Sequence, residues 1–180
     1  MRYQLGTAFA LLMLAACKPP PTDADMARDM PQAAPTFASA PLPSPETEGA
    51  MWARASNQSG GQNGPRLIYG IPGSPALIAL ECTGDEGELA ALQITRLSPA
   101  DEGAGALLAL VGNGHIGRIE VDETEVNGRP VWQGSAPAAN IVWEPLAGPR
   151  QLTVTVPGAG MVTMNPSALP AQLIESCRTS

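Results

Sequence analysis

Residues 105–133 read GALLALVGNGHIGRIEVDETEVNGRPVWQ. Two Asn-Gly dipeptides, Asn113-Gly114 and Asn127-Gly128, divide this stretch into runs of strand composition. Both central residues of a type I′ turn need positive φ, which Asn and Gly tolerate best, so each dipeptide predicts a tight β-hairpin. The flanking runs, Ala106 to Val111, Ile116 to Val121 and Arg129 to Gln133, then read as antiparallel strands.

The same rhythm extends in both directions. Upstream, strands are expected at Met51 to Ala55, Arg66 to Ile71, Ala76 to Thr83 and Glu88 to Leu97. Pro72-Gly73-Ser74-Pro75 and Gly84-Asp85-Glu86-Gly87 supply the turns between them. Downstream, Leu152, Val154 and Val156 alternate with Thr153 and Thr155, as a half-buried strand requires. Pro157-Gly158 then breaks the chain before a last strand at Met161 to Met164. Val142 to Leu146 stays ambiguous, because Trp143 suits a strand and Pro145 interrupts one. After Asn165 the period changes: Ser167 can cap a helix, Pro170 fits its first turn, and Leu169, Leu173, Ile174 and Cys177 recur on one helical face. The expected fold is all-β, a sandwich or small antiparallel barrel, with one C-terminal helix covering an end or edge.

The N-terminal third reads differently. Arg2 precedes a run from Leu5 to Ala16 that is apolar or small apart from Thr7. A membrane-spanning helix needs about 20 residues, so this run has the proportions of a secretion signal. It ends Leu14-Ala15-Ala16-Cys17, which resembles the lipobox of bacterial lipoproteins. That resemblance implies cleavage after residue 16 and acyl chains, palmitate among them, on Cys17. Each buried methylene contributes about 0.8 kcal/mol, so two or three chains hold a protein on a membrane permanently. Lys18 stands where an aspartate would retain an enteric lipoprotein at the inner membrane, which favours the outer membrane. Residues 17–50 are rich in proline, alanine and acids and are expected to form a disordered spacer, leaving 51–180 as one globular domain.

The formal charge is -7, and loss of Arg2 with the leader makes it -8; Lys18 is the only lysine. Such a chain lacks the basic footprint of a nucleic-acid binder. With Cys17 assigned to lipid, Cys82 and Cys177 remain, and in an exported domain they are expected to pair as a disulfide rather than serve a metal. No cofactor is implied beyond the lipid on Cys17.

Several motifs admit a chemical reading. Gly112, Gly114 and Gly117 spell GxGxxG, but the alternating strand that follows makes this a glycine-rich hairpin rather than a dinucleotide site. His115, the only histidine, sits beside that hairpin with no second ligand. Asp122, Glu123 and Glu125, and likewise Asp85, Glu86 and Glu88, cluster near turns without the EF-hand register. Trp132 and Trp143 either fill the core or, with His115, form a binding surface.

The order Trp52, Tyr69-Gly70-Ile71-Pro72, Leu80-Glu81-Cys82 and a proline-led helix ending Ile174-Glu175-Ser176-Cys177-Arg178 resembles a group of uncharacterised secreted proteins and lipoproteins of alphaproteobacteria. It is also distantly similar to small accessory proteins of the type VI secretion system, with Arg178-Thr179-Ser180 in place of their final tryptophan. Neither group implies catalytic residues. The expectation is a non-enzymatic, membrane-anchored envelope lipoprotein that binds an envelope protein or a cell-wall partner. The alternative is a periplasmic inhibitor or hydrolase-like enzyme with a cleft near His115.

Overall fold

A computed structural model describes residues 40–55, 65–84 and 90–179. The leader, Cys17, most of the spacer and the Asp85-Glu86-Glu88 cluster lie outside the described residues.

All nine expected strands are present: β1 Met51–Ala55, β2 Arg66–Gly70, β3 Ile78–Thr83, β4 Ala91–Pro99, β5 Gly105–Gly112, β6 His115–Val126, β7 Arg129–Pro137, β8 Leu152–Thr155 and β9 Met161–Met164. They form one antiparallel sheet in the order β1-β2-β3-β4-β7-β6-β5-β8-β9. Its curl brings the two ends of that order together, so the architecture is a near-closed barrel. β1 and β9 share no ladder. Side chains bridge them instead: the Tyr69 hydroxyl donates to the Thr163 carbonyl at 3.2 Å and accepts the Asn165 amide at 3.1 Å. The Asn165 side-chain amide also donates to the Ala50 carbonyl at 2.7 Å.

The turns form for the reasons their residues suggest. Asn113 and Gly114 have φ of 52° and 83°, and Asn127 and Gly128 have 53° and 73°, the paired positive angles of type I′ hairpins. β6 and β7 are longer than their composition suggests, because the second hairpin holds them paired out to Val126 and Arg129. Strand alternation therefore sends Asp122 to one face and Glu123 and Glu125 to the other. The acidic cluster is taken apart, and among the described residues no group of three potential ligands could hold a metal.

Period-two alternation fills the interior with Leu92, Ile94, Leu108, Leu110, Ile119, Val121, Val154, Val162 and Met164, all buried. Trp52, Tyr69, Ile78, Arg96, Trp132 and Glu123 are successive cross-strand neighbours over six strands, forming one inward row. Trp132 and Trp143 are 0% exposed. Each large aromatic removes roughly 150–250 Å² from water, so the core claims them. They do not form a binding surface with His115.

One end of the barrel is closed by two helical pieces. Val142 to Leu146 is neither strand nor loop: a 3-10 turn, Ile141–Trp143, runs into α1, Glu144–Ala147, with Pro145 in its first turn, where a missing N–H leaves no bond unmade. The closing helix is α2, Leu169–Arg178, with Ser167 accepting the Leu169 amide at 3.2 Å and with Leu173, Ile174 and Cys177 buried. The Cys82–Cys177 disulfide pins α2 to β3, with Cα atoms 5.6 Å apart across 95 residues of sequence. Arg178 joins the two helices, donating from Nε to the Ala138 carbonyl at 2.9 Å and facing Glu144 at 3.5 Å. Gly117 makes room for this cap, since a Cβ there would lie 2.0 Å from the Val142 carbonyl oxygen, whereas a Cβ on Gly112 would first meet Leu152 of β8 at 2.4 Å. With the positive φ of Gly114, three separate requirements make up the GxGxxG spacing.

Residues 42–50, which composition assigns to the spacer, belong to the barrel. The Leu42 amide donates to the Gly158 carbonyl at 2.8 Å, the Ser44 hydroxyl accepts the Met161 amide at 3.0 Å, and Ala50 is buried.

Candidate binding surface

His115 lies exposed at the start of β6, on a shallow cleft of about 340 Å³ that it lines with Asn113, Glu144, Ala147, Gly148, Pro149 and Arg150. Two polar side chains of this cleft, Asn113 and Glu144, are engaged in holding the end of the barrel together. The Asn113 side chain donates to the Pro145 carbonyl at 2.8 Å and accepts the Arg150 amide at 3.0 Å. Glu144 faces Arg178. A general base needs an acceptor poised toward a substrate and a partner that orients it, and here the orienting groups are turned to the backbone. Asn113 is thus a clamp as well as a turn residue; sequence reasoning gave it only the second role.

A different face carries concave apolar surface. Between β2 and β3, residues 71–76 fold back over the outer side of the barrel, tied by the Ser74 amide to the Ile71 carbonyl at 2.9 Å and by the Leu77 amide to the Tyr69 carbonyl at 2.8 Å. Gly73, at φ 85°, supplies the positive angle that a turn with Pro72 before it demands. This loop makes a ridge with a cleft on each side. One, of about 320 Å³, is lined by Pro75, Ala76, Leu97, Val126, Asn127, Arg129 and Val131. The other, of about 180 Å³, is lined by Met51, Ala53, Ile68, Gly70, Ile71, Pro72, Gly73, Ser74 and Ala76. Ala76 belongs to both, so the ridge between them is narrow. Met51 is 54% exposed at one edge, a large apolar side chain left in water.

Arg129 is the charged group of this face. It stands at the mouth of the β6–β7 hairpin, exposed, and among the described residues no carboxylate pairs with it. The other notable cation is interior. Arg96 is 3% exposed, and its guanidinium donates to the carbonyls of Leu77 at 3.2 Å and Ala159 at 2.9 Å. Burial lowers its pKa from the ordinary guanidinium value to about 10. The Nε of Arg96, the Nε1 of Trp132 and the hydroxyl of Ser98 are buried without hydrogen-bond partners. One signal in the sequence pointed to Arg96: it occupies the inward register of Leu92 and Ile94 in an otherwise apolar alternation.

The disulfide joins the two cysteines that the sequence paired, and Cys17 lies outside the described residues. No protein-family model, curated protein or solved structure matches this chain.

Proposed function

We propose that this chain is an exported lipoprotein, anchored through acyl chains on Cys17, whose barrel is a non-enzymatic binding module facing an envelope protein or cell-wall partner. The lipobox supports the anchor, and Lys18 favours the outer membrane. The resemblance to alphaproteobacterial secreted lipoproteins points the same way.

The observation that carries the binding role is the ridge of residues 71–76 with an apolar cleft on either side. Concave apolar surface with a few polar groups at its rim is the usual form of a recognition site. The outer face of β5 and β6 also leaves Leu107, Val111 and Ile116 exposed. The cleft at His115 supports an enzyme or inhibitor less well, because Asn113, the side chain beside His115 that could orient it, is bonded to the Pro145 and Arg150 backbone instead.

A photo-crosslinking amino acid placed in the lipidated protein at Met51, at Asn127 or at His115 separates these readings. The proposal expects a discrete envelope adduct from Met51 and Asn127 and none from His115. An adduct from His115 alone, or from no position, overturns it.

A further inference from the structure

Resting on the binding-module reading, we infer that the ridged face takes an extended acidic peptide segment of a partner protein, with two apolar side chains straddling the ridge and a carboxylate against Arg129. Spacing, lining and charge lead to this occupant together.

Spacing comes first. Ala76 lines both clefts, so at that residue the two come within one side chain of each other. In an extended chain, residues i and i+2 project from the same face roughly 6.6 Å apart. That distance suits a peptide laid across the ridge with one side chain on either side. A helix would present i and i+3 or i+4 around a cylinder about 10 Å wide, which a narrow ridge would hold away from the clefts.

The lining makes the two positions apolar. Leu97, Val126 and Val131 line the larger cleft, and Met51, Ile68 and Ile71 line the smaller.

Charge sets the third position. The protein carries a net -7, yet the charged side chain lining these clefts is a cation, Arg129. It makes no ion pair among the described residues, so its planar fork of donors is available for a carboxylate. Because Arg129 lines the larger cleft and not the smaller, the acidic residue should flank the side chain that enters the larger one. An anionic protein otherwise repels an acidic partner, and a lone guanidinium beside an apolar cleft fixes both the register and the direction of the segment.

The test uses the full lipidated protein in nanodiscs and a dye-labelled peptide, acetyl-Asp-Leu-Thr-Leu-Gly-amide, followed by fluorescence anisotropy. Changing its Asp to Asn should weaken binding three- to tenfold at low salt and less at high salt, as expected for an exposed ion pair. Arg129→Glu should weaken the Asp peptide about tenfold and bind a Lys version better than the Asp one. Because Arg129 is exposed, that variant leaves the core untouched. Ala76→Trp should abolish binding of every version, with an unchanged circular dichroism spectrum as its control. If the Asp and Asn peptides bind alike and Arg129→Glu changes nothing, the acidic-peptide inference is overturned while the crosslinking result still stands for the face itself. Failure of every peptide to bind also overturns it. Crosslinks that vanish from Met51 and Asn127 would remove the binding-module reading independently.

Discussion

Tyr69 on β2 meets the amide of Asn165, just after β9, at 3.1 Å across the seam of the barrel, where no strand pairing joins the two edges. The same hydroxyl donates to the Thr163 carbonyl at 3.2 Å, and the tyrosine is fully buried. Tyr69→Phe keeps the ring and strands two backbone groups. Leaving buried groups unpaired costs about 1–3 kcal/mol, so urea unfolding should show that loss with an unchanged m value. Hydrogen exchange at the Asn165 amide should quicken. Wild-type stability in the phenylalanine variant would refute this account of the seam.

The Cys82–Cys177 bond spans 95 residues. In the chain-entropy account a loop of that size is worth roughly 4–5 kcal/mol, less any strain, and calorimetric work assigns part of such effects to enthalpy. A Cys82→Ala, Cys177→Ala double variant should therefore unfold far more readily than the oxidised protein. α2 should lose protection first, since its buried face depends on Cys177 at the cap. Identical melting curves with and without reductant would contradict this.

Arg96 gives the domain an alkaline signature. Desolvation lowers its pKa to about 10, so from there up to the ordinary guanidinium value the unfolded chain binds more protons than the folded one. Stability must then rise with pH through that window, because the cost of burying the cation fades as the cation is lost. Arg96→Met removes the titration. The free energy of unfolding of wild type relative to Arg96→Met should increase between pH 9 and pH 11, as followed by chemical denaturation, and a flat difference would refute the desolvation argument.

Gly114 and Gly117 separate two uses of glycine. Alanine at Gly114 meets nothing within 4 Å but must adopt φ near 83°, a left-handed angle costing roughly 1–2 kcal/mol. At Gly117 the new Cβ would meet the Val142 carbonyl oxygen at 2.0 Å, and neither a Cβ, fixed by its own backbone, nor a backbone oxygen can turn away. Overpacking of this kind costs about 1–3 kcal/mol and here displaces the helical cap, so thermal melts should rank Gly117→Ala below Gly114→Ala.

If the proposed anchor holds the protein, Cys17→Ser should move it from the membrane fraction to the soluble periplasm without altering its melting temperature. Mass spectrometry of the native product should find an acylated chain that starts at residue 17. An unacylated chain still starting at Met1 would remove the anchor.

What could be read in the sequence was local. The type I′ turns at Asn113 and Asn127 and the Leu173-Ile174-Cys177 face of α2 are written in φ preferences and in helical spacing. The disulfide followed from elimination among three cysteines. The pairing of β4 with β7 was not legible, because the β5–β6 hairpin lies between them in the chain and only the closed sheet brings them together. The fate of Trp132 depended on that same closure, which sets the inward face of β7. At Val142 to Leu146, the strand preference of Trp143 gave way to packing of the cap against Gly112 and Gly117. The ridge of residues 71–76 reads as a mere turn in the sequence, and its clefts arise only from what it folds against.

The missing ladder between β1 and β9 makes the barrel mechanically anisotropic. Tension applied at Ala40 is taken up first by single contacts in series, Leu42 to Gly158, Ser44 to Met161 and Ala50 to Asn165. These can yield one after another like the teeth of a zip. The smaller cleft starts at Met51, next to Ala50 where the last of these contacts sits, so a pull from the N-terminal side reaches the ridged face as soon as the seam gives, while the staple at Cys82 keeps β3 and the closing helix together.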